Sequence, residues 1–343
     1  MLTETADISI LVVAYKSRAT IENCMRALEA QSRKPREILV LENGSPVGER
    51  ILSSDLPDGV KLVMRDENLG FAAGNNLLAK LASSGWFAFL NPDAFARPEW
   101  VAELEVAIQR YPAVSLFGST QYSSDSSDLL DGVGDVFHAT GLAYRSGFLR
   151  PIALLPNEGE VFGPCGAAAM IRRSLFETLD GFDESLFCYS EDVDLAFRAR
   201  LLGERAIQLR RAAVDHVGYA SSGRRSEFAT YYGVRNRLTI YLKNMPGWLL
   251  PVTLPFHVTA TAVLSLGAIK NRQFRLFWHA IFDAMRRLPN TLAARKNIQN
   301  TRKVTTGAIA RMMSWSSYGL LARMPDVRPY PDETIHKPSP PAP

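Results

Sequence analysis

The sequence predicts an α/β protein with a mixed, mainly parallel sheet flanked by helices and a helical appendage at its C-terminal end. Three observations lead there. Short apolar runs alternate with helix-spaced segments through the first hundred residues, the pattern of strand-helix-strand units with right-handed crossovers. Hydrophobic residues are 47 % and charged residues 22 % of the 343, which favours a packed core over disorder. The composition then shifts near Asn244, where an uncharged stretch and a basic stretch follow one another.

The elements follow in order. Ile8 to Ala14 (ISILVVA) is a β-branched run suited to a strand buried on both faces. Ala19 to Gln31 has Ile21, Cys24, Met25 and Leu28 at helical spacing. Glu37 to Leu41 and Val60 to Met64 are strands, the first closed by the turn Asn43-Gly44-Ser45. Phe71 to Leu81 is a helix, and Trp86 to Leu90 is a strand ending at Asn91-Pro92-Asp93. Gln121 to Glu160, rich in Gly, Ser and Asp, reads as loops and irregular strands. Ser174 to Leu179 and Glu191 to Leu202 are helices, and a Pro-rich tail after Met324 is expected to be disordered. Ligands of parallel sheets bind beyond the carboxyl ends of the strands. Three polar clusters fall there: Glu42-Asn43, Asn68 to Asn76, and Asn91 to Asp93.

The bulk numbers exclude several classes. A net charge of +4 is too weak to argue for nucleic acid. Three cysteines, Cys24, Cys165 and Cys188, without CxxC spacing argue for a reducing compartment and against a disulfide framework or a zinc site. Met1 to Asp7 is acidic and poor in apolar residues, unlike a secretory signal peptide.

Four features could carry chemistry. Asp93 follows an apolar strand on a turn that Pro92 helps set, so its carboxylate faces the crevice and could hold Mg²⁺ or Mn²⁺ beside a substrate's phosphates. An Asn-Pro-Asp turn that merely ends a strand is the plainer explanation. Glu191, Asp192 and Asp194 open a helix, where acids favour the dipole. The aromatic lead-in of Phe182, Phe187 and Tyr189 suggests instead an apolar-walled pocket that raises a carboxylate pKa and suits a general base. His216 alone would be structural, and its claim rests on combination with Asp93. Arg224, Arg225 and Arg235 are candidates for diphosphate or acceptor contacts, or simply a solvated basic face.

Seven segments stand in order along the chain: VVAYKS (Val12 to Ser17), LENGS (Leu41 to Ser45), NLGFAAGNN (Asn68 to Asn76), LNPDA (Leu90 to Ala94), GFDESLFCYSEDVDLAFR (Gly181 to Arg198), DHVGYASSG (Asp215 to Gly223) and YYGVRNR (Tyr231 to Arg237). Together they resemble glycosyltransferase family 2, and most closely its bacterial rhamnosyltransferase-like branch. The resemblance covers Ile8 to Leu242. It implies a GT-A fold and an inverting, metal-dependent transfer of a sugar from a nucleotide-diphosphate donor to a saccharide or lipid-linked acceptor. It makes Asp93 the metal-binding acid, with Asn91 where the family often has an earlier Asp, and His216 a second metal ligand. Asp192, beside Glu191, matches the catalytic base, and Glu42 matches an acid that reads the nucleotide base. The implied donor site comprises Ala14, Tyr15, Glu42, Asn43, Asn68, Gly70, Phe71, Asn75, Asn91 and Asp93. The branch implies dTDP-L-rhamnose as donor and cell-surface polysaccharide synthesis as setting.

Two other readings compete. A sugar nucleotidyltransferase would want a Gly-rich phosphate loop after the first strand, but Ala14 to Arg18 has no glycine. An inactive nucleotide-sugar-binding scaffold would not need Asp93, Asp192 and His216 together. The expected domains are 1–243, catalytic; 244–324, helical and membrane-associating; and 325–343, the tail. Trp248 to Ile269 is long enough to span a bilayer, which takes about 20 residues, but contains Pro251, Pro255 and His257. Lys270 to Arg311 carries ten Lys/Arg against the single acid Asp283, as suits an anionic membrane surface. Phe274 to Leu288 is patterned like a helix lying in the interface. The expectation is a monotopic protein at the cytoplasmic face of the inner membrane. The bland alternative is that both segments are ordinary core helices.

Overall fold

The computed structural model describes residues 5–218 and 226–330. β1 (Ala6–Ala14) is followed by α1 (Arg18–Glu29), β2 (Pro35–Asn43), β3 (Lys61–Arg65), α2 (Gly70–Leu81), β4 (Trp86–Leu90), β5 (Ala94–Ala96), α3 (Trp100–Arg110) and β6 (Leu116–Ser123). Next come β7 (Leu130–Gly132), β8 (Asp135–Phe137), β9 (Ala143–Arg145), β10 (Gly159–Val161), β11 (Ala168–Arg172), α4 (Arg173–Thr178), α5 (Glu191–Leu201) and β12 (Ala206–His216). The remainder is helical: α6 (Glu227–Asn244), α7 (Leu249–Lys270), α8 (Phe274–Arg286), α9 (Leu288–Thr301), α10 (Thr306–Met312) and α11 (Ser317–Ala322).

The main sheet runs β10-β12-β6-β11-β4-β1-β2-β3, with β5 added to β12 and β7 to β6. β3, β2, β1 and β4 are mutually parallel, as are β6 and β12; β11 runs antiparallel between the two groups. The alternation of β1 explains the layers, because successive side chains point to opposite faces. Ile8, Ile10 and Val12 meet α1 and α3 through Ile21, Met25, Trp100 and Leu104. Leu11 joins Leu39, Leu41, Phe87 and Phe89 under α2 and α4 on the other face. A third cluster, with Phe137, Phe197, Tyr241 and Met313, ties the β8–β9 hairpin to α5, α6 and α10.

This topology brings distant polar residues to one edge. β1, β2 and β4 all end there, so Tyr15, Asn43 and Asn91 stand at the ends of neighbouring strands. β5 then pairs with β12 so that Ala94 lies opposite His216, which carries His216 to Asp93 across 123 positions of sequence. A buried charge cluster locks α6 to α5: Asp194 binds Arg198 Nε at 2.8 Å, Lys243 Nζ at 2.7 Å and Asn244 Nδ2 at 2.7 Å. Burial alone would raise the Asp194 carboxyl, but Lys243 and Arg198 bring it down to about 2. Its contribution is therefore present above the usual carboxylate range and is lost only as pH falls through about 2.

The C-terminal helices are not simple core helices. α8 buries Phe277, Ala280 and Ala284, and α6 is the element it packs against most closely. Arg295 of α9 donates to the carbonyls of Leu242 and Met245 at 2.8 and 2.6 Å. Both flanks of α7 thus return to the same body. α7 itself is the one described helix long and apolar enough to cross a membrane, yet its pattern is inverted. Thr253, His257, Ser265 and Ala268 face inward, while Val258 and Leu266 are 58 % and 66 % exposed. The tail also starts later than expected. Arg328 bridges Glu160 of β10 and Tyr330 packs edge-on against Tyr111, so 325–330 are part of the fold; 331–343 lie outside the described residues.

Candidate functional site

The strand ends surround a cleft of about 480 Å³. Tyr15, Asn43, Asn68, Gly70, Phe71, Asn91, Asp93 and His216, all singled out in the sequence, line it together with Arg145, Tyr189 and Phe228. One side is a side-chain clamp. Asn43 donates to Asn68 Oδ1 at 3.0 Å and accepts from the Leu69 N–H at 3.0 Å, and Asn68 Oδ1 takes the Gly70 N–H at 2.8 Å. Gly70 adopts φ +79°, and a Cβ there would sit 2.5 Å from the Phe187 carbonyl oxygen. Glycine at this position lets α2 begin directly against the 187–190 loop.

Asp93 and His216 form the polar centre. The Asp93 carbonyl accepts from the Val217 N–H at 3.0 Å, which fixes the two strand ends together. His216 Nε2 lies 3.3 Å from Asp93 Oδ1, and Nδ1 is 2.7 Å from Asp131 Oδ2. Arg145 completes the row with an ion pair to Asp131. Burial would raise the Asp131 carboxyl, but the His216 hydrogen bond and Arg145 hold it below the usual carboxylate range. Burial would likewise lower the His216 imidazole, and its two carboxylate neighbours raise it instead.

These atoms suit a divalent cation. Nε2 of His216 is buried and no hydrogen-bond partner meets it in good geometry. Its 3.3 Å distance from Asp93 Oδ1 is close to the roughly 3 Å between adjacent ligands of one octahedral Mg²⁺. Asp131 on Nδ1 fixes the ring so that Nε2 faces Asp93, the usual orienting arrangement for a ligating histidine. A second trio, Asp135, Cys165 and Asp192, has its ligand atoms within 4.8 Å of one another. It suits a cation less well: burial pushes the Cys165 thiol up to about 12, and burial with the Asp192 charge raises Asp135 well above the carboxylate range.

Asp192 stands behind the cleft rather than in its lining. It opens α5, its Oδ2 accepts the Gly166 N–H at 2.7 Å, and Asp135 hydrogen-bonds to it. Arg145, opposite Asp135 in the β8–β9 hairpin, links this pair to Asp131. The carboxylates raised by apolar burial are therefore Asp135 and Glu191. Glu191 is 6 % exposed, turned inward, and leaves Oε2 without a partner, so burial first and the Asp192 charge second raise its carboxyl well above the usual carboxylate range.

Between the cleft and Asp192 runs a strained loop. Phe187, Tyr189 and Ser190 have φ of 65°, 70° and 67°, a region that costs non-glycine residues energy. Asn236 holds it: Nδ2 donates to the carbonyls of Leu186, Cys188 and Tyr189 at 2.9, 2.9 and 2.8 Å.

Several sequence expectations are corrected here. Arg235 is buried, donates to the carbonyls of Ser185 and Leu186 and stacks on Tyr232, so it braces the loop rather than offering a diphosphate contact. Glu42 is fully buried, and its oxygens accept the Ser45 and Ile51 N–H groups at 2.7 and 2.9 Å. It shapes the turn after β2 and has no free face for a base. Asn75 is buried and donates to the Phe71 carbonyl, and Ala14 is buried at the end of β1; neither lines the cleft. Arg224 and Arg225 lie outside the described residues. Asp131, Asp135, Arg145 and Asn236 were not anticipated. Asn236 stands inside the quoted YYGVRNR, and Asp131 and Asp135 bracket a Gly-rich run read as loop.

Residues 9–180, half of the chain, match the sequence profile of Glycosyl transferase family 2. The chain belongs to glycosyltransferase family 2. The N-acetylglucosaminyl-diphospho-decaprenol L-rhamnosyltransferase of Mycobacterium tuberculosis is 26 % identical over 242 residues, 63 % of this chain and 77 % of that one. The solved structure of S. aureus TarS 1-349 in complex with UDP-GlcNAc gives a TM-score of 0.54 at 16 % identity, over 90 % of this chain and 93 % of that one. GalNAc-T7 with UDP, GalNAc and Mn²⁺ also gives 0.54, at 13 % identity over 70 % of this chain, which spans about half (48 %) of its length. The mixed sheet with its flanking helices is the GT-A arrangement expected of the family.

In this family 2 glycosyltransferase the burial of Glu191 has a pH signature. Its raised pKa means the native state keeps a proton that the unfolded chain loses, so stability falls as pH rises from the usual carboxylate range through the raised value. Glu191→Gln removes that loss. Its melting temperature is expected to match the parent near pH 4 and to exceed it increasingly towards pH 8; a gap that is constant or of opposite sign would contradict the assignment.

Proposed function

We propose that this family 2 enzyme is an inverting glycosyltransferase that moves L-rhamnose from dTDP-L-rhamnose to a hydroxyl of a lipid-linked saccharide in cell-surface polysaccharide synthesis. The observation that carries the reaction class is the Asp93–His216 pair, its donor atoms 3.3 Å apart in a cleft beyond the strand ends, with Asp192 one loop away. The choice of rhamnose and of a lipid-linked acceptor is supported by the M. tuberculosis relative, whose name gives both.

The residues suggest a division of labour. Asn43, Asn68 and the turn at Tyr15 form the donor wall. Asp93 and His216 would hold Mg²⁺ or Mn²⁺, and the bound Mn²⁺ of GalNAc-T7 supports that choice. When bound, such an ion neutralises charge on the diphosphate leaving group. Asp192, fixed by the Gly166 N–H and its hydrogen bond with Asp135, accepts the proton of the acceptor hydroxyl. One glycosidic C–O bond forms as the anomeric carbon–diphosphate bond breaks, nucleoside diphosphate leaves, and the proton ends on Asp192. A single displacement of this kind inverts the anomeric centre.

The unit 1–243 is the proposed catalytic domain, and 244–324 the membrane-seated part. Support comes from the outward apolar face of α7 and from Phe274, Trp278 and Phe282, exposed on α8 beside Lys270, Arg272 and Arg275. An apolar face rimmed by cations fits an anionic leaflet. Because α8 and α9 pack back on α6, we place both flanks of α7 on the cytoplasmic side, where nucleotide sugars are found.

Two measurements test this reading. Asp93→Ala or EDTA should abolish transfer from dTDP-L-rhamnose, and Asp192→Asn should keep nucleotide binding while lowering turnover by roughly 10²-fold or more. Full activity in EDTA would remove the metal role, and greater damage from Glu191→Gln than from Asp192→Asn would move the base. Separately, Val258→Glu combined with Leu266→Glu should release the full chain from phosphatidylglycerol vesicles with nucleotide affinity unchanged; sedimentation equal to the parent's would overturn the membrane seat.

A further inference from the structure

A second cavity, of about 400 Å³, lies between α6, α7, α8 and the β8–β9 hairpin. Its walls are mostly apolar, with Leu142, Val234, Leu264 and Phe277 among them. Two helix-interior glycines open onto it: an added Cβ at Gly233 or at Gly267 meets no atom within 4 Å. Glycine weakens a helix relative to alanine, so the space they leave is held at a cost.

Arg237 is the one charged residue among the described residues of the lining. It is 8 % exposed, and its Nη2 donates to Thr261 Oγ1 at 2.9 Å. Its Nε and Nη1 are buried without a hydrogen-bond partner. Burial draws the guanidinium down to about 10, which still leaves it charged at neutral pH. A buried, charged and under-bonded arginine is strongly unfavourable unless an anion completes it, and phosphate oxygens match its donors well.

The position of the cavity gives the anion a context. Ser190 and Val193 line it, while Tyr189 lines the donor cleft, so the two spaces share the strained loop that leads into α5 and Asp192. Its outer end is formed by Gly267, Asn271 and Gln273 at the α7–α8 turn, next to exposed Lys270 and Arg272 and to the apolar face proposed to meet the membrane.

We propose that this cavity takes the diphosphate and the first isoprenoid units of a polyprenyl-diphosphate-linked acceptor, with Arg237 binding phosphate; this rests on the reading that the acceptor is lipid-linked. The arrangement would deliver the acceptor sugar from the membrane side past Ser190 to Asp192, while the nucleotide sugar occupies the opposite side of the loop.

The test uses the full chain and farnesyl diphosphate as probe, with binding measured by titration calorimetry. Arg237→Met is expected to weaken farnesyl diphosphate at least tenfold, with a melting temperature equal to or above the parent's, because it removes an incompletely paired buried charge. Gly233→Leu, which fills the space and leaves Arg237 in place, should weaken it similarly and guards against misfolding of the first variant. Inorganic diphosphate should bind at least tenfold more weakly than farnesyl diphosphate. Parent-like affinity in both variants overturns the site, and equal affinity for inorganic diphosphate overturns its assignment to a lipid. The activity reading is separable: if dTDP-L-rhamnose is never turned over while farnesyl diphosphate binding still depends on Arg237, glycosyl transfer fails and the site stands.

Discussion

The side-chain amide of Asn236 is the contact on which the site depends. The loop it holds contains three non-glycine residues at positive φ, each costing roughly 1 kcal/mol or more. The two amide hydrogens of Asn236, shared among three carbonyls of that loop and contributing about 1 kcal/mol net each, offset part of this strain only if Asn236 is itself immobile. The Asp194–Arg198–Lys243–Asn244 cluster supplies that rigidity by joining α6 to α5. Breaking such a buried cluster from one side typically costs about 3–5 kcal/mol. Loop, helix start and carboxylate therefore form one unit: Tyr189 closes the cleft, Ser190 closes the second cavity, and Asp192 opens α5 between them.

The electrostatics follow the same line through the molecule. Asp93, His216, Asp131 and Arg145 form one row of polar contacts, and Arg145 reaches the hairpin position opposite Asp135, which leans on Asp192. The row lets several ionisable groups share one buried region, since each is paired with the next. Where burial outweighs opposite charge the carboxyl is driven toward its neutral form, as for Glu191 and for Asp135, whose burial and Asp192 neighbour outweigh Arg145. Arg237 cannot follow that course, which is why its incomplete bonding carries information.

What was legible in the sequence was what local pattern encodes. β1, β2, β4 and α2 stand within a few residues of where apolar periodicity and turn residues put them. β12 escaped notice because Arg210 and Arg211 interrupt its apolar run where its pairing with β6 shifts register. α6 escaped because Arg235, Asn236, Lys243 and Asn244, polar in sequence, are buried in the fold. The site divides similarly. Asp93 and His216 were paired through motif order, and the sheet then joined them. Glu42 and Arg235 had the right chemistry for a ligand but are consumed by backbone partners, three and nine residues away for Glu42 and about fifty for Arg235. Asp131 and Arg145 depend on pairings across a Gly-rich stretch that no short spacing encodes.

The most direct measurement is the turnover of Asn236→Ala set against its stability and nucleotide affinity. If the latch sets catalytic geometry, kcat should fall roughly 10²-fold, the effect of misplacing a reacting group by about 1 Å, while the protein remains folded at the assay temperature. Nucleoside diphosphate binding in the Asp93 cleft should weaken as well, because Tyr189 forms part of its wall. A variant that melts earlier but keeps parental kcat and nucleotide affinity would show that the loop merely packs, and would contradict the account.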